Sequence, residues 1–131
     1  MSLQVSTTKL TAANTSRDAT GAGVEQIFEA RASCYLDRVI FQPEGTNAAT
    51  VARVFVNTKE PISDGNNNRL LGEVTLPGTT ASETAAISKV QLGLDVYLSS
   101  GQKLLSTLGT APTAGVSVTT VSGNTKNDFN N

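Results

Sequence analysis

In Asp64-Gly65-Asn66-Asn67-Asn68, the residues Asp64, Asn66 and Asn68 fall at the alternate positions from which calcium loops present ligands. The twelfth residue counted from Asp64 is Thr75, where such a loop requires a bidentate glutamate. The run therefore reads as a polar hairpin tip, and no metal site is expected. Cys34 is the single cysteine, set beside Tyr35 in a strand-like run. With no histidine anywhere to lower its pKa, it reads as a buried inert thiol. The missing histidine also removes serine-histidine and cysteine-histidine pairs and histidine-ligated metals. Gly21-Ala22-Gly23 lacks the third glycine and the strand-to-helix setting of a dinucleotide fingerprint. Any two of Glu29, Asp37, Glu73 and Asp95 could meet in space as the acid and base of a glycosidase. Sugar clefts favour aromatic platforms, however, and the chain has no Trp, 2 Tyr and 4 Phe. The expectation is a protein that is not an enzyme, with no catalytic residue, no cofactor and no metal.

The chain that must position these residues has 131 of them, which suits one domain; at that length folding buries roughly two-thirds of the surface the unfolded chain exposes. Charged residues make up only 16%, with 10 basic against 11 acidic. Such a balance generates no long-range field to recruit a polyanion, so neither nucleic acid nor an anionic membrane is an expected partner. One cysteine allows no intramolecular disulfide, which leaves stability to packing or assembly. No apolar run approaches the ~20 residues that span a bilayer, and the opening Met-Ser-Leu-Gln lacks a secretory signal, so synthesis in the cytoplasm is expected.

Thr, Ser, Asn and Gly supply most of the polarity, which suits strand faces and turns better than exposed helices. Residues 1–8 suit a short strand with Leu3 and Val5 on one face. Residues 11–23 have no apolar period and read as an exposed arm or loop. Eight short β-like runs follow, at 24–30, 33–43, 49–57, 69–76, 86–92, 94–99, 103–109 and 115–122, separated by Gly, Pro, Asn and Ser turn chemistry. This spacing predicts an all-β fold, a single antiparallel β-sandwich of jelly-roll type, with an N-terminal strand and arm over 1–23, the sandwich over 24–123 and a polar tail over 124–131. Two local readings stay open. Thr80-Ala81-Ser82-Glu83 fits a capping box, so 81–89 is either a short helix or a loop leading into a strand. Val121 falls out of phase with Val116 and Val118, which points to a bulge or a change of partner near Thr120.

The run ATVARVFVN, 49–57, is apolar on both faces. Ala52, Val54 and Val56 share one face, and Val51, Arg53 and Phe55 share the other. A strand covered on both sides needs a second protein layer, so Val51, Arg53 and Phe55 are the candidate subunit contact. The alternative is an arginine stem lying along Val51 and Phe55 with its guanidinium in water.

The motif content resembles that of small structural proteins of bacteriophage virions. The matching positions are Thr50, Arg53, Val54, Phe55 and Asn57, then Leu71, Glu73, Val74, Leu76 and Pro77, then Ala114, Gly115, Val118 and Gly123, within residues 33–123. The resemblance implies a jelly-roll or related sandwich that builds or decorates a phage particle, as a capsid decoration or minor head protein. It implies a location in the virion, assembly as a homo-oligomer, often a trimer, and the major capsid protein or other virion proteins as partners. The alternative function is a receptor- or glycan-binding module of a tail or head fibre, with a shallow aromatic site around Tyr35 or Tyr97.

Overall fold

The computed structural model describes residues 3–129. Its eight strands are β1 (Gln4–Leu10), β2 (Glu25–Glu29), β3 (Cys34–Pro43), β4 (Thr50–Asn57), β5 (Asn68–Leu76), β6 (Val90–Leu98), β7 (Lys103–Leu108) and β8 (Val116–Gly123). They form two four-stranded antiparallel sheets, the first ordered β1-β8-β3-β6 and the second β2-β7-β4-β5. Only β4 and β5 are consecutive strands of one sheet; every other connection crosses to the opposite sheet. That order is a jelly roll, the fold the turn spacing predicts.

Period-two alternation builds the core. Leu36, Val39 and Phe41 of β3, Ala52 and Val54 of β4, Leu104 and Leu108 of β7, and Val116 and Val118 of β8 are all inward and at most 1% exposed. Alternation would fail in β3, where Leu36 and Val39 are three apart, but Asp37 is an extra residue in the register against β8. The bulge returns Val39 to the inward face.

The structure has the expected eight strands but divides the chain among them differently. The runs at 86–92 and 94–99 are one strand, β6, because Asp95 takes a left-handed φ of 51° and absorbs an extra residue without ending the ladder to β3. The eighth strand is β1 instead. Residues 81–89 are an exposed loop and carry no helix. Near Thr120 the expected bulge lies on the partner strand: β8 runs unbroken against β1, while the extra residue is Asp37 of β3. Thr120 thereby stays inward and Val121 outward.

Thr120 is 0% exposed, and its Oγ1 has no hydrogen-bond partner among the described residues. A hydroxyl buried in this way opposes folding, whereas a methyl at the same place packs. Thr120→Val is expected to raise the unfolding free energy by about 1 kcal/mol, seen as a higher midpoint in urea.

Residues 11–23 are a loop, but one that lies on the sandwich instead of projecting from it. The Asn14 amide donates to the Leu108 carbonyl at 2.7 Å, and Asn14 Nδ2 donates to the carbonyls of Thr20 and Ala22 at 2.8 and 2.6 Å. Gly23 is required where this loop rejoins β2: its φ is 85°, and a Cβ there would stand 2.5 Å from the Ala13 carbonyl oxygen. The tail likewise turns back, with a 3-10 turn, Lys126–Phe129, against β3 and β8.

Candidate functional site: the outer faces of the two sheets

On the second sheet, strand register places Glu73, Arg53 and Thr107 in one cross-strand row and Leu70, Phe55 and Leu105 in the next. Arg53 Nε donates to Glu73 Oε2 at 2.9 Å, and Arg17 of the 11–23 loop reaches Glu73 Oε1 at 3.4 Å. The arginine in the most β-prone run therefore pairs with the carboxylate directly opposite, with its side chain only 13% exposed.

Phe55 is a correction. It is 0% exposed and packs with Ala19, Leu105, Val24, Ile62 and Leu70 in a second small core. The 11–23 loop and the β4–β5 connection are the covering layer that the doubly apolar strand requires. Phe55 therefore cannot touch another subunit. Val51 and Arg53 are partly buried and line a shallow depression of about 380 Å³ with Thr15, Thr75 and Gly109.

The two arginines hold the Glu73 carboxyl below its ordinary value of 4.5, through the Arg17 and then the Arg53 hydrogen bond. A carboxylate depressed in the folded state contributes stability that is complete above its unfolded pKa and is lost as pH falls through its lower folded value. Acid titration is expected to loosen the 11–23 loop below about pH 4.5, and Glu73→Gln is expected to flatten that part of the profile, followed by the hydrogen-exchange protection of the Asn14 amide, which is bonded to the Leu108 carbonyl.

The outer face of the first sheet is different. Val5 of β1 stands opposite Val121 of β8, and Gly123, Tyr35 and Tyr97 form the neighbouring row across β8, β3 and β6. Tyr35 is 3% exposed, its ring 5.2 Å from Tyr97 and 5.4 Å from Phe129, centroid to centroid. Its hydroxyl donates to Asp95 Oδ1 at 2.6 Å, and that bond is the first cause that pushes its pKa up to about 12. Asp95 is held below its ordinary value by the same bond and by Lys126, whose Nζ lies 3.3 Å away. The Lys126 amide donates to the Tyr97 hydroxyl at 3.0 Å. The C-terminal turn thus covers Tyr35, and of the two tyrosines named for an aromatic site only Tyr97 is exposed. Leu3, Val5 and Tyr97 are 50%, 67% and 60% exposed, and they are the large hydrophobics left open among the described residues. Alternation puts all three on this one face.

The remaining candidates are structural in their contacts. Asp64 accepts from the Asn66 amide at 3.0 Å, Asn67 Nδ2 donates to the Pro61 carbonyl at 3.0 Å, and Asn68 is buried, so the calcium-like spacing holds a loop together. Cys34 is half-buried at the start of β3, and desolvation pushes its thiol pKa up. Among the described residues no three Cys, Asp or Glu side chains gather as a metal site. Asp37 pairs with Arg38, Glu73 with Arg53 and Asp95 with Tyr35, while Glu29 lies on the second sheet, away from Asp37 and Asp95 on the first.

Sequence reasoning placed Leu3 and Val5 on one face but missed that Tyr97 joins them, because the strand order that brings β6 into the sheet of β1 is not written in either segment. It also missed the buried asparagines Asn14, Asn47, Asn57 and Asn68, none of which adjoins a Gly or Pro that would mark it.

No protein-family model matches the chain, and no curated protein matches it. Among solved structures it is similar to a Podospora anserina GH26-CBM35 β-(1,4)-mannanase, with 18% identity over 95% of this chain and 26% of that one and a TM-score of 0.42. It is also similar to chains of infectious bursal disease virus, with 12% identity over 97% of this chain and 34% of that one for the Gx strain (TM-score 0.37) and 11% over 95% and 33% for the Gt strain (TM-score 0.36). The chain spans 26% to 34% of the length of these three solved chains.

Proposed function

We propose that this protein is a non-enzymatic structural subunit of a bacteriophage virion, a capsid decoration or minor head protein that packs on the assembled particle as a homo-oligomer. The observation that supports it is the unequal treatment of the two outer faces. The chain covers the Phe55 patch of the second sheet with its own 11–23 loop, and leaves Leu3 and Val5 exposed at one edge of the first sheet and Tyr97 at the other, with the C-terminal turn between them. Apolar side chains exposed at both edges of one flat sheet face fit a packing surface better than a ligand cleft. The jelly roll and the motif resemblance to phage structural proteins favour a particle as the setting, with the major capsid protein or a neighbouring virion protein as partner. Neither nucleic acid nor membrane is a partner in this reading.

Co-sedimentation of the purified chain with assembled particles, alongside light scattering after size exclusion, tests it. Particle binding by an oligomer is the expected result. A strict monomer that ignores particles overturns the reading, and a melting temperature raised by saccharides would favour the glycan-binding alternative.

A further inference from the structure

Four strands end the two sheets: β1 and β6 in the first, β2 and β5 in the second. An edge strand offers unpaired backbone groups to any passing strand, and soluble proteins blunt such edges with bulges, charges or proline. Three of these four are blunted. β2 carries an extra residue at Ile27, β5 at Leu71 and β6 beside Asp95, each breaking the regular spacing of the ladder. β1 has no bulge, and its one charge, Lys9, stands near its end: its register against β8 is unbroken from Gln4 opposite Ser122 to Leu10 opposite Val116. From Gln4 to Thr8 it has neither charge nor proline, and Val5 is 67% exposed.

We propose that the free edge of β1 pairs antiparallel with β1 of a second copy about a two-fold axis, joining two first sheets into one continuous sheet of eight strands. This rests on the reading that copies of the chain assemble, and it names the surface. The charge pattern selects the occupant. Centred on Val5, the pairing sets Val5 against Val5, Gln4 against Ser6 and Leu3 against Thr7, with no like charges opposed. Lys9, the single charge of the strand, lies outside that paired segment. A charged partner strand would find no counter-charge between Gln4 and Thr8, whereas a copy of β1 needs none. The pairing also gathers Leu3 and Val5 of both copies beside Val121, which enlarges the apolar face. A three-fold contact through some other surface would add to this pair without replacing it.

The test uses the two-fold axis itself. Val5→Lys and Val5→Glu each place like charges opposite one another in the pair, while a mixture of the two places opposite charges there. Sedimentation velocity over a dilution series of the full chain is expected to show a monomer–dimer equilibrium for the wild type. Each variant alone should dissociate about tenfold more readily or worse, and the equal mixture should recover the wild-type affinity. Melting temperatures equal to the wild type's at a dilution where all are monomeric would show that both variants fold, as the exposure of Val5 leads one to expect. A wild type that stays monomeric at all concentrations, variants that associate as it does, or a mixture no better than its components overturns the proposal. Particle binding measured on the same samples separates the two levels: binding by Val5→Lys keeps the structural reading whatever becomes of the pair, and a dimer that ignores particles keeps the pair and removes the reading.

Discussion

Phe55→Ala is expected to lower the unfolding free energy by about 3–5 kcal/mol, read from a shift of the urea midpoint at constant slope. The residue is 0% exposed, and its ring fills the small core between Ala19, Leu105, Ile62 and Leu70 on the outside of the second sheet. Removing it deletes apolar contacts and leaves a cavity that the sheet backbone cannot collapse to fill. It also releases the layer that covers it. Ala19 sits in the 11–23 loop, so trypsin cleavage after Arg17 is expected to accelerate in the same variant. The loss should not depend on protein concentration, since the core belongs to one chain. A variant of normal stability that merely associates less would return Phe55 to the role of a subunit contact and would remove the second core.

That variant also shows where sequence reasoning stops. The run 49–57 declares two apolar faces by its alternation alone, and the demand for two covering layers follows from it correctly. What supplies the outer layer is not legible there, because 11–23 contains only alanines as hydrophobes and reads as solvent-exposed. Its polar hold on the sheet comes from the Asn14 amide to the Leu108 carbonyl, Arg17 to Glu73 and Asn68 Nδ2 to the Asp18 carbonyl, and such contacts leave no hydrophobic period. The strands were legible for the opposite reason: their burial writes itself into every second residue. β6 is the exception. Gly93 and Asp95 carry the chemistry of a break, yet Asp95 tolerates a left-handed φ and turns the break into a bulge. The exposed face of Leu3, Val5 and Tyr97 was half legible. The first two share a strand and a parity, whereas Tyr97 joins them only through β8 and β3, a matter of topology that no local pattern encodes.

Asparagine carries much of what the hydrophobic pattern cannot, and Asn68 is the sharpest case. It is 2% exposed, its Oδ1 accepts from Asn57 Nδ2 at 2.8 Å, and its Nδ2 donates to the carbonyls of Asp18 and Ile62, both at 2.9 Å. One side chain thus ties β4 to the 11–23 loop and to the β4–β5 connection. Asn68→Leu keeps the same branched side-chain skeleton, so no cavity forms and the loss of the polar contacts is the main change. Three partners lose their bond at once. With about 1–3 kcal/mol for each group left buried and unpaired, and water able to reach the loop carbonyls as they loosen, a net loss of about 3 kcal/mol is expected in urea unfolding. Asn68→Asp separates pairing from shape. The aspartate can still accept from Asn57, but it turns an acceptor toward two carbonyl oxygens, so its stability should fall further as pH rises and the carboxyl ionises. Hydrogen exchange should report both variants locally, with faster exchange of the Asn14 and Thr58 amides, which are bonded to the Leu108 and Asn67 carbonyls, before any change in β3 or β8. Uniform acceleration throughout the sandwich, or an Asn68→Leu protein as stable as the wild type, would show that these loops are held by packing and that the asparagine is incidental.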